Sequence, residues 1–170
     1  QLIEFLRETK KEKIKTTILG AGSNTLFRDK GVKGVVIKLG KFFSFTKIVD
    51  KDILEVGAAT LDRKVANFAR DNNLKNLEFL SCIPGSIGGE IVMNSGCYDN
   101  DISKVLLSVR AININKISEI EIKRDDIKFL YRGTNLPDDI IIISAKFKCA
   151  VGKKEEIEKK QLNFIERKKL

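Results

Sequence analysis

The sequence predicts an α+β fold, and three observations carry that expectation. Apolar residues switch repeatedly along the chain between short β-branched runs and the spacing of a helix face. With 42% apolar residues in 170, and Ile and Lys the most frequent types, the chain can bury a substantial core. No repeat or low-complexity linker interrupts it, so one principal domain, or one with a small lobe, is expected.

The elements follow in order. Leu2 to Leu6 reads as part of a helix, and Thr16-Thr17-Ile18-Leu19 and Val35-Val36-Ile37 read as strands ending near Gly. Ile48-Val49 and Ile53 to Val56 read as two more strands, joined by the turn Asp50-Lys51-Asp52. Thr60 is the expected N-cap of a helix with Leu61, Val65, Phe68 and Ala69 on one face, ended by Asn72-Asn73. Alternation from Val109 to Ile122 predicts a hairpin turning near Asn115 to Glu119. Ile140 to Cys149 is the last strand, central because it is so apolar. Residues 153–170 form a charged amphipathic helix with Ile157, Leu162 and Ile165 as its apolar face.

Composition excludes several chemistries. The chain has no His, which removes Ser-His-Asp and Cys-His relays, His-containing zinc sites and a histidyl link to a flavin. Its net charge of +9 is dispersed in mixed runs such as Lys10-Lys11-Glu12-Lys13, so solvated helix faces and a general affinity for anions are expected rather than a nucleic-acid partner. Cys82, Cys97 and Cys149 have neither disulfide-framework nor C-x-x-C spacing and fit a reducing compartment. The longest purely apolar run, Ile140 to Ile143, is strand-sized, and no signal peptide is evident. A cytoplasmic protein without a membrane partner is the expectation.

Two glycine-bearing loops hold the functional signal. Gly20-Ala21-Gly22-Ser23-Asn24-Thr25 follows a strand and can aim backbone N–H groups at a phosphate. Thr25 stands where a dinucleotide fingerprint has its third Gly, and no Gly-Lys-Ser/Thr follows, so neither a Rossmann nor a Walker loop is indicated. Taken alone, two glycines after a strand are more often a tight turn. The second loop, Ile83-Pro84-Gly85-Ser86-Ile87-Gly88-Gly89, leads into a short helix and closes at Gly96; Pro84 fixes its approach and its glycines leave room for a ligand. One diphosphate-bearing cofactor clasped from both sides is the simplest use of the two loops. On its own, Arg132 reads as a surface or salt-bridged residue and Tyr131 as part of the core.

These residues also carry a resemblance. Leu19-Gly20-Ala21-Gly22-Ser23-Asn24-Thr25-Leu26, Leu77 to Gly89 with Met93-Asn94-Ser95-Gly96-Cys97-Tyr98, and Tyr131-Arg132-Gly133-Thr134 resemble, in order and spacing, the flavin-binding loops and Tyr-Arg element of the UDP-N-acetylenolpyruvoylglucosamine reductase (MurB) family. The resemblance covers the chain from about Ile14 to about Leu170. It implies the FAD-binding fold of the vanillyl-alcohol oxidase and p-cresol methylhydroxylase type, with two α+β subdomains (1–57 and 58–152) clasping FAD and a linker helix (153–170). It implies noncovalent FAD contacts at Gly20, Ala21, Gly22, Ser23, Asn24, Thr25, Pro84, Gly85, Ser86, Gly88 and Gly89, with Asn94 and Gly96 nearby. Arg132 takes the place of the catalytic arginine, whose fixed fork of donors suits a carboxylate.

The implied reaction is reduction of a UDP-sugar enolpyruvyl ether to UDP-N-acetylmuramate for peptidoglycan, with NADPH as reductant, by a monomeric enzyme. Two positions depart from the family pattern. Cys82 replaces a usual Gly, a strain if its backbone needs positive φ. Glu90 replaces a usual Ala and would repel a diphosphate unless it points away. The resemblance also implies a shortened N-terminus and a missing third, substrate-binding domain with its proton-donating Ser and late Glu. A module that binds FAD without turnover, or an unrelated oxidoreductase on the same fold, are the alternative expectations.

Overall fold

In the computed structural model, which describes residues 1–169, the chain begins with helix α1 (Leu2–Lys11) and two short strands, β1 (Thr16–Leu19) and β2 (Val35–Lys38), paired in parallel. Strands β3 (Thr46–Asp50) and β4 (Ile53–Gly57) make a hairpin, followed by α2 (Asp62–Asp71), β5 (Leu74–Lys75) and a 3-10 turn over Glu78–Cys82. Helix α3 (Ile87–Val92) leads into a two-residue hairpin of β6 (Gly96–Cys97) and β7 (Asn100–Asp101). The long hairpin of β8 (Leu106–Asn113) and β9 (Ser118–Lys123) is followed by a second tight one, β10 (Phe129–Leu130) and β11 (Gly133–Thr134). Strands β12 (Ile140–Lys148) and β13 (Ala150–Val151) and helix α4 (Lys154–Lys169) complete the described chain.

One antiparallel sheet in the order β3-β4-β12-β8-β9 is the centre of the architecture. As expected, β12 is its middle strand. A run of Ile suits that place because both sheet faces are covered. Ile140, Ile142, Ala145 and Phe147 join the main core with Leu54, Val56, Val109 and Ala111, packed under α2, the 78–82 turn, α3 and α4. Ile141 and Ile143 point the other way and, with Ile112, receive Leu6 of α1. A register shift between Ile142 and Ser144 lets Ser144 share that second face with Ile143 and bond Glu55 Oε1 at 3.1 Å. Burial pushes Glu55 up, yet the Lys47 and Ser144 hydrogen bonds and the Lys47 and Arg110 charges outweigh it and leave its carboxyl below the usual range.

The sheet takes β3 and β4 from one side of residue 57 and β8, β9 and β12 from the other, so the expected subdomain boundary there cuts through a single sheet. Several local expectations are corrected. Thr60 does not cap α2: its hydroxyl donates to Phe45 O at 3.0 Å, and α2 begins at Asp62 after an extended Leu61. The reason is tertiary. Residues 58–62 lie against the second glycine loop, with Ile87 N donating to Thr60 O and Gly88 N to Ala58 O, which holds the chain out of helix. Leu61 is consequently half exposed, while Val65 and Ala69 reach the core.

The β8–β9 hairpin starts at Leu106, earlier than its alternation indicated, and turns over residues 114–117. On α4 the buried face is Ile157, Gln161 and Phe164, whereas Leu162 is exposed. Gln161 Nε2 donates to Ala66 O at 2.8 Å and Lys160 pairs with Glu78 at 3.3 Å, so α4 docks on α2 and the 78–82 turn by polar contacts as well as apolar ones. Tyr131 is 92% exposed and is no core residue. Leu170, the last residue of the expected terminal helix, lies outside the described residues.

Candidate functional site

The two glycine loops face each other across one cavity of about 1000 Å³. The first loop leaves the end of β1, and the second is held by the extended 58–62 segment behind it. Their approach is close: a Cβ placed on Gly20 would lie 3.0 Å from Ser86 Oγ and 3.9 Å from Gly89 Cα. Gly22 has φ +88°, a left-handed backbone that a residue with a Cβ adopts only with strain, so here the glycine is a requirement of the turn. At Gly89, by contrast, a Cβ would meet nothing within 4 Å; the backbone there borders open space.

Gly20, Ala21, Gly22, Ser23, Asn24 and Thr25, then Pro84, Gly85, Ser86, Gly88 and Gly89, and finally Gly96 and Arg132 all line this cavity. Asn94 does not, among the described residues. With φ +41°, it uses its side chain to tie two neighbouring segments together, Nδ2 donating to Leu130 O at 3.2 Å and Oδ1 accepting from Ser103 N at 3.1 Å. Its contacts position the β10–β11 turn that carries Arg132. Arg132 sits at the second residue of that two-residue turn with φ +57°; Nη1 donates to Gly96 O at 3.1 Å and the guanidinium lies 5.3 Å from the Tyr131 ring centroid. A guanidinium carries five donors, so this one bond leaves most of its capacity for a ligand.

No motif in the sequence marks Lys168, one of many charges on the terminal helix. It lines the cavity and its Nζ donates to Cys82 O, because the docking of α4 carries that helix end to the cavity wall. Next to it, Arg167 stands 3.9 Å over the Tyr98 ring, which stacks on Phe164. Only the register of α4 on the body distinguishes Lys168 from its neighbours, and the sequence carries no signal of that register.

The two departures from the family pattern resolve structurally. Cys82 lies in the 3-10 turn and is not among the left-handed residues, so it carries no backbone strain. Its Sγ is 3.0 Å from Cys97 Sγ, and both are free thiols. Burial, reinforced by Cys82, pushes the Cys97 thiol up to about 12 despite the nearby Lys168 and Arg132 charges. Glu90 is largely buried beside Asp62, at the edge of the cavity wall, rather than projecting as an open charge. Burial raises its pKa towards the neutral form. Asp62, fully buried, is pushed up to about 9 by burial and by Glu90.

An FAD fits these residues. The volume stands at the top of the usual range for small-molecule sites, roughly 300–1,000 Å³, two glycine backbones border the space, and Lys38, Arg132 and Lys168 put positive charge on its wall. The matching family agrees: the FAD binding domain family covers residues 1–116. The chain belongs to the FAD binding domain family. Among curated proteins, it is 45% identical over 167 residues to the UDP-N-acetylenolpyruvoylglucosamine reductase of Pelagibacter ubique, covering 98% of this chain and 55% of the relative. The corresponding Rickettsia felis reductase is 40% identical over 156 residues, covering 92% and 52%.

The chain thus spans about half the length of the curated relatives it matches. The solved MurB from Thermus caldophilus superposes with a TM-score of 0.86 at 28% identity, over 98% of this chain and 59% of that one. Alkyldihydroxyacetonephosphate synthase, at 13% identity and a TM-score of 0.61 over 88% of this chain and 32% of its own, shares the fold alone. The expected resemblance to the reductase and the expected α+β FAD-binding fold of the vanillyl-alcohol oxidase type are both borne out.

Proposed function

We propose that this chain is the FAD-binding part of a reductase that converts the enolpyruvyl ether of UDP-N-acetylglucosamine to UDP-N-acetylmuramate in the cytoplasm, with NADPH as reductant, for peptidoglycan synthesis. The observation that carries the reading is the convergence of both glycine loops and Arg132 on one cavity. When bound, FAD supplies the hydride chemistry. The chain's own residues bind and orient: backbone N–H groups of residues 20–24 and those of Ser86 and Gly89, which the 58–60 segment does not take up, meet the anionic part of the cofactor, with Ser23, Asn24 and Ser86 as side-chain donors.

Arg132 is the catalytic group in this reading. Its permanent charge holds the substrate carboxylate and stabilises negative charge that develops as the double bond is reduced. Lys168 adds a second cation to the same wall. The sheet topology supports a subdomain division near residue 45, ahead of β3, in place of one at 57.

The test is direct. The purified chain mixed with FAD is expected to turn yellow and to retain stoichiometric flavin through gel filtration, with a shifted visible band. Colourless protein at saturating FAD would end the proposal. If flavin is retained, turnover of the enolpyruvyl substrate with NADPH is expected only when the remainder of a matching reductase is supplied, and Arg132→Ala is expected to abolish that turnover while keeping the flavin.

A further inference from the structure

At the second glycine loop two carboxyl groups meet in a nearly dry environment. Asp62, the first residue of α2, is 0% exposed and Glu90 of α3 is 6% exposed. A Cβ built on Gly85 would lie 2.0 Å from Glu90 Oε1 and 2.6 Å from Asp62 Oδ2, so both carboxyls crowd the same side of Gly85. The backbone leaves them little freedom to separate: Asp62 N donates to Gly85 O at 3.3 Å, and Ser95 N donates to Glu90 O at 2.9 Å. Among the described residues no Lys or Arg forms an ion pair with either. Both oxygens of Asp62 and Oε2 of Glu90 are sealed from solvent without a conventional hydrogen-bond partner.

Two ionised carboxylates in that position would each bear an uncompensated desolvation cost and repel one another. A single proton removes both problems, because a protonated carboxyl donates to its ionised neighbour, as in other carboxyl pairs that share a site. Asp62 comes from α2 and Glu90 from α3; Ser95 follows α3; the Gly85 N–H belongs to the loop; and Arg132, on the β10–β11 turn, favours an ionised Glu90 from a distance. Glu90 and Gly85 line the cavity, whereas Asp62 stands behind them.

We propose that Asp62 and Glu90 hold a shared proton behind the second glycine loop, and that an anionic diphosphate ligand in the cavity draws further protonation onto the pair. The coupling rests on the reading of the cavity as an FAD site. The proton comes from solvent and returns to it when the ligand leaves. An anion in the cavity and an ionised pair in and behind its wall at Gly85 are like charges, so binding favours the protonated pair and ionisation of the pair weakens binding. Glu90 is therefore compatible with a diphosphate as long as the pair keeps its proton, and becomes an obstacle when it loses it.

Two measurements on the chain test this. Calorimetric titration with FAD between pH 7 and pH 9, in buffers of different ionisation enthalpy, is expected to show net proton uptake in the wild type. Affinity is expected to fall with rising pH by up to roughly tenfold per unit, the limit for one linked proton. Glu90→Gln and Asp62→Asn, each isosteric, are expected to bind FAD without uptake and with a flat pH dependence. No uptake in the wild type, or equal uptake in both variants, overturns the coupling. Infrared spectroscopy of the ligand-free chain at neutral pH is expected to show a protonated carboxyl carbonyl band that the double variant lacks. Absence of that band overturns the shared proton even if FAD binds. A band without FAD binding at any pH refutes the FAD reading and the coupling with it, while the shared proton stands.

Discussion

Replacing Arg132 by Gly is expected to leave the ligand-free chain more stable than replacing it by Ala, although both remove the same guanidinium. Arg132 holds φ at +57° in the second position of the β10–β11 turn, where Gly or Asn is the usual occupant. A left-handed backbone costs a residue with a Cβ about 1–2 kcal/mol. Gly gives back roughly 0.5–1 kcal/mol through the greater entropy of its unfolded chain. The Nη1 bond to Gly96 O and the stacking on Tyr131 are lost in both variants and cancel. What remains favours Gly by about 0.5–1 kcal/mol. In a chain of this size that corresponds to a melting temperature roughly 1–4 °C higher than for Arg132→Ala. Thermal melts of the two variants, with urea denaturation as a second measure, decide it. If Arg132→Ala melts at the same temperature or higher, the turn does not store strain, and the view that a conformationally costly Arg is kept here for its chemistry fails.

Three further outcomes follow from the geometry. Gly57→Ala would place a Cβ 2.2 Å from Phe43 O and 2.6 Å from Phe43 C; because backbone has to move, a loss of about 3 kcal/mol or more in urea unfolding is expected, and a loss below 1 kcal/mol would contradict the packing. Asp62 has a native pKa near 9 against 3.8 unfolded, so the folded state binds more protons in between. Its stabilising contribution is complete below pH 3.8 and is lost as pH rises through about 9, at a rate of up to about 1.4 kcal/mol per pH unit for one proton. Asp62→Asn is therefore expected to gain stability on the wild type as pH rises from 5 to 9, and parallel curves would refute the assignment. Cys97, with its thiol raised to about 12, is expected to react with iodoacetamide at pH 7.5 far more slowly than a solvent-exposed cysteine of ordinary pKa, as read by mass spectrometry.

Much of the fold was legible because local pattern and tertiary demand coincide. Ile140 to Cys149 reads as a central strand, and β12 is central because its alternate residues serve two different packing layers. The glycine loops were legible from composition, since few uses of the backbone need Gly-Gly beside Pro and Ser. Where sequence reading failed, a distant segment had overridden the local signal. Thr60 has the chemistry of an N-cap, but the loop at 84–88 holds its backbone extended and Phe45 O takes its hydroxyl. Tyr131 and Leu162 are apolar by composition and exposed by position, one at a turn tip and the other on the outer side of α4. By residue type and position Asp62 is an ordinary acid in a first helical turn, and only the proximity of Glu90 makes it something else. Lys168 is one Lys among 24 by sequence, and its place in the cavity wall depends wholly on where α4 docks.

The central placement of β12 also bears on how the chain acquires its shape. Contacts such as Ser144 with Glu55 join residues 89 apart in sequence, so β4 has no inner neighbour until the segment carrying β12 has emerged. A chain made from its N-terminus exposes the β3–β4 hairpin, the first glycine loop and α2 while the strand that unites them is still being synthesised. Loop closure over such distances is slow, and an unpaired strand edge left waiting invites association with other chains. The ligand cavity is thus a late product of folding, assembled from early segments by a late strand, and conditions that slow arrival of β12 will cost soluble protein before they affect affinity for any ligand.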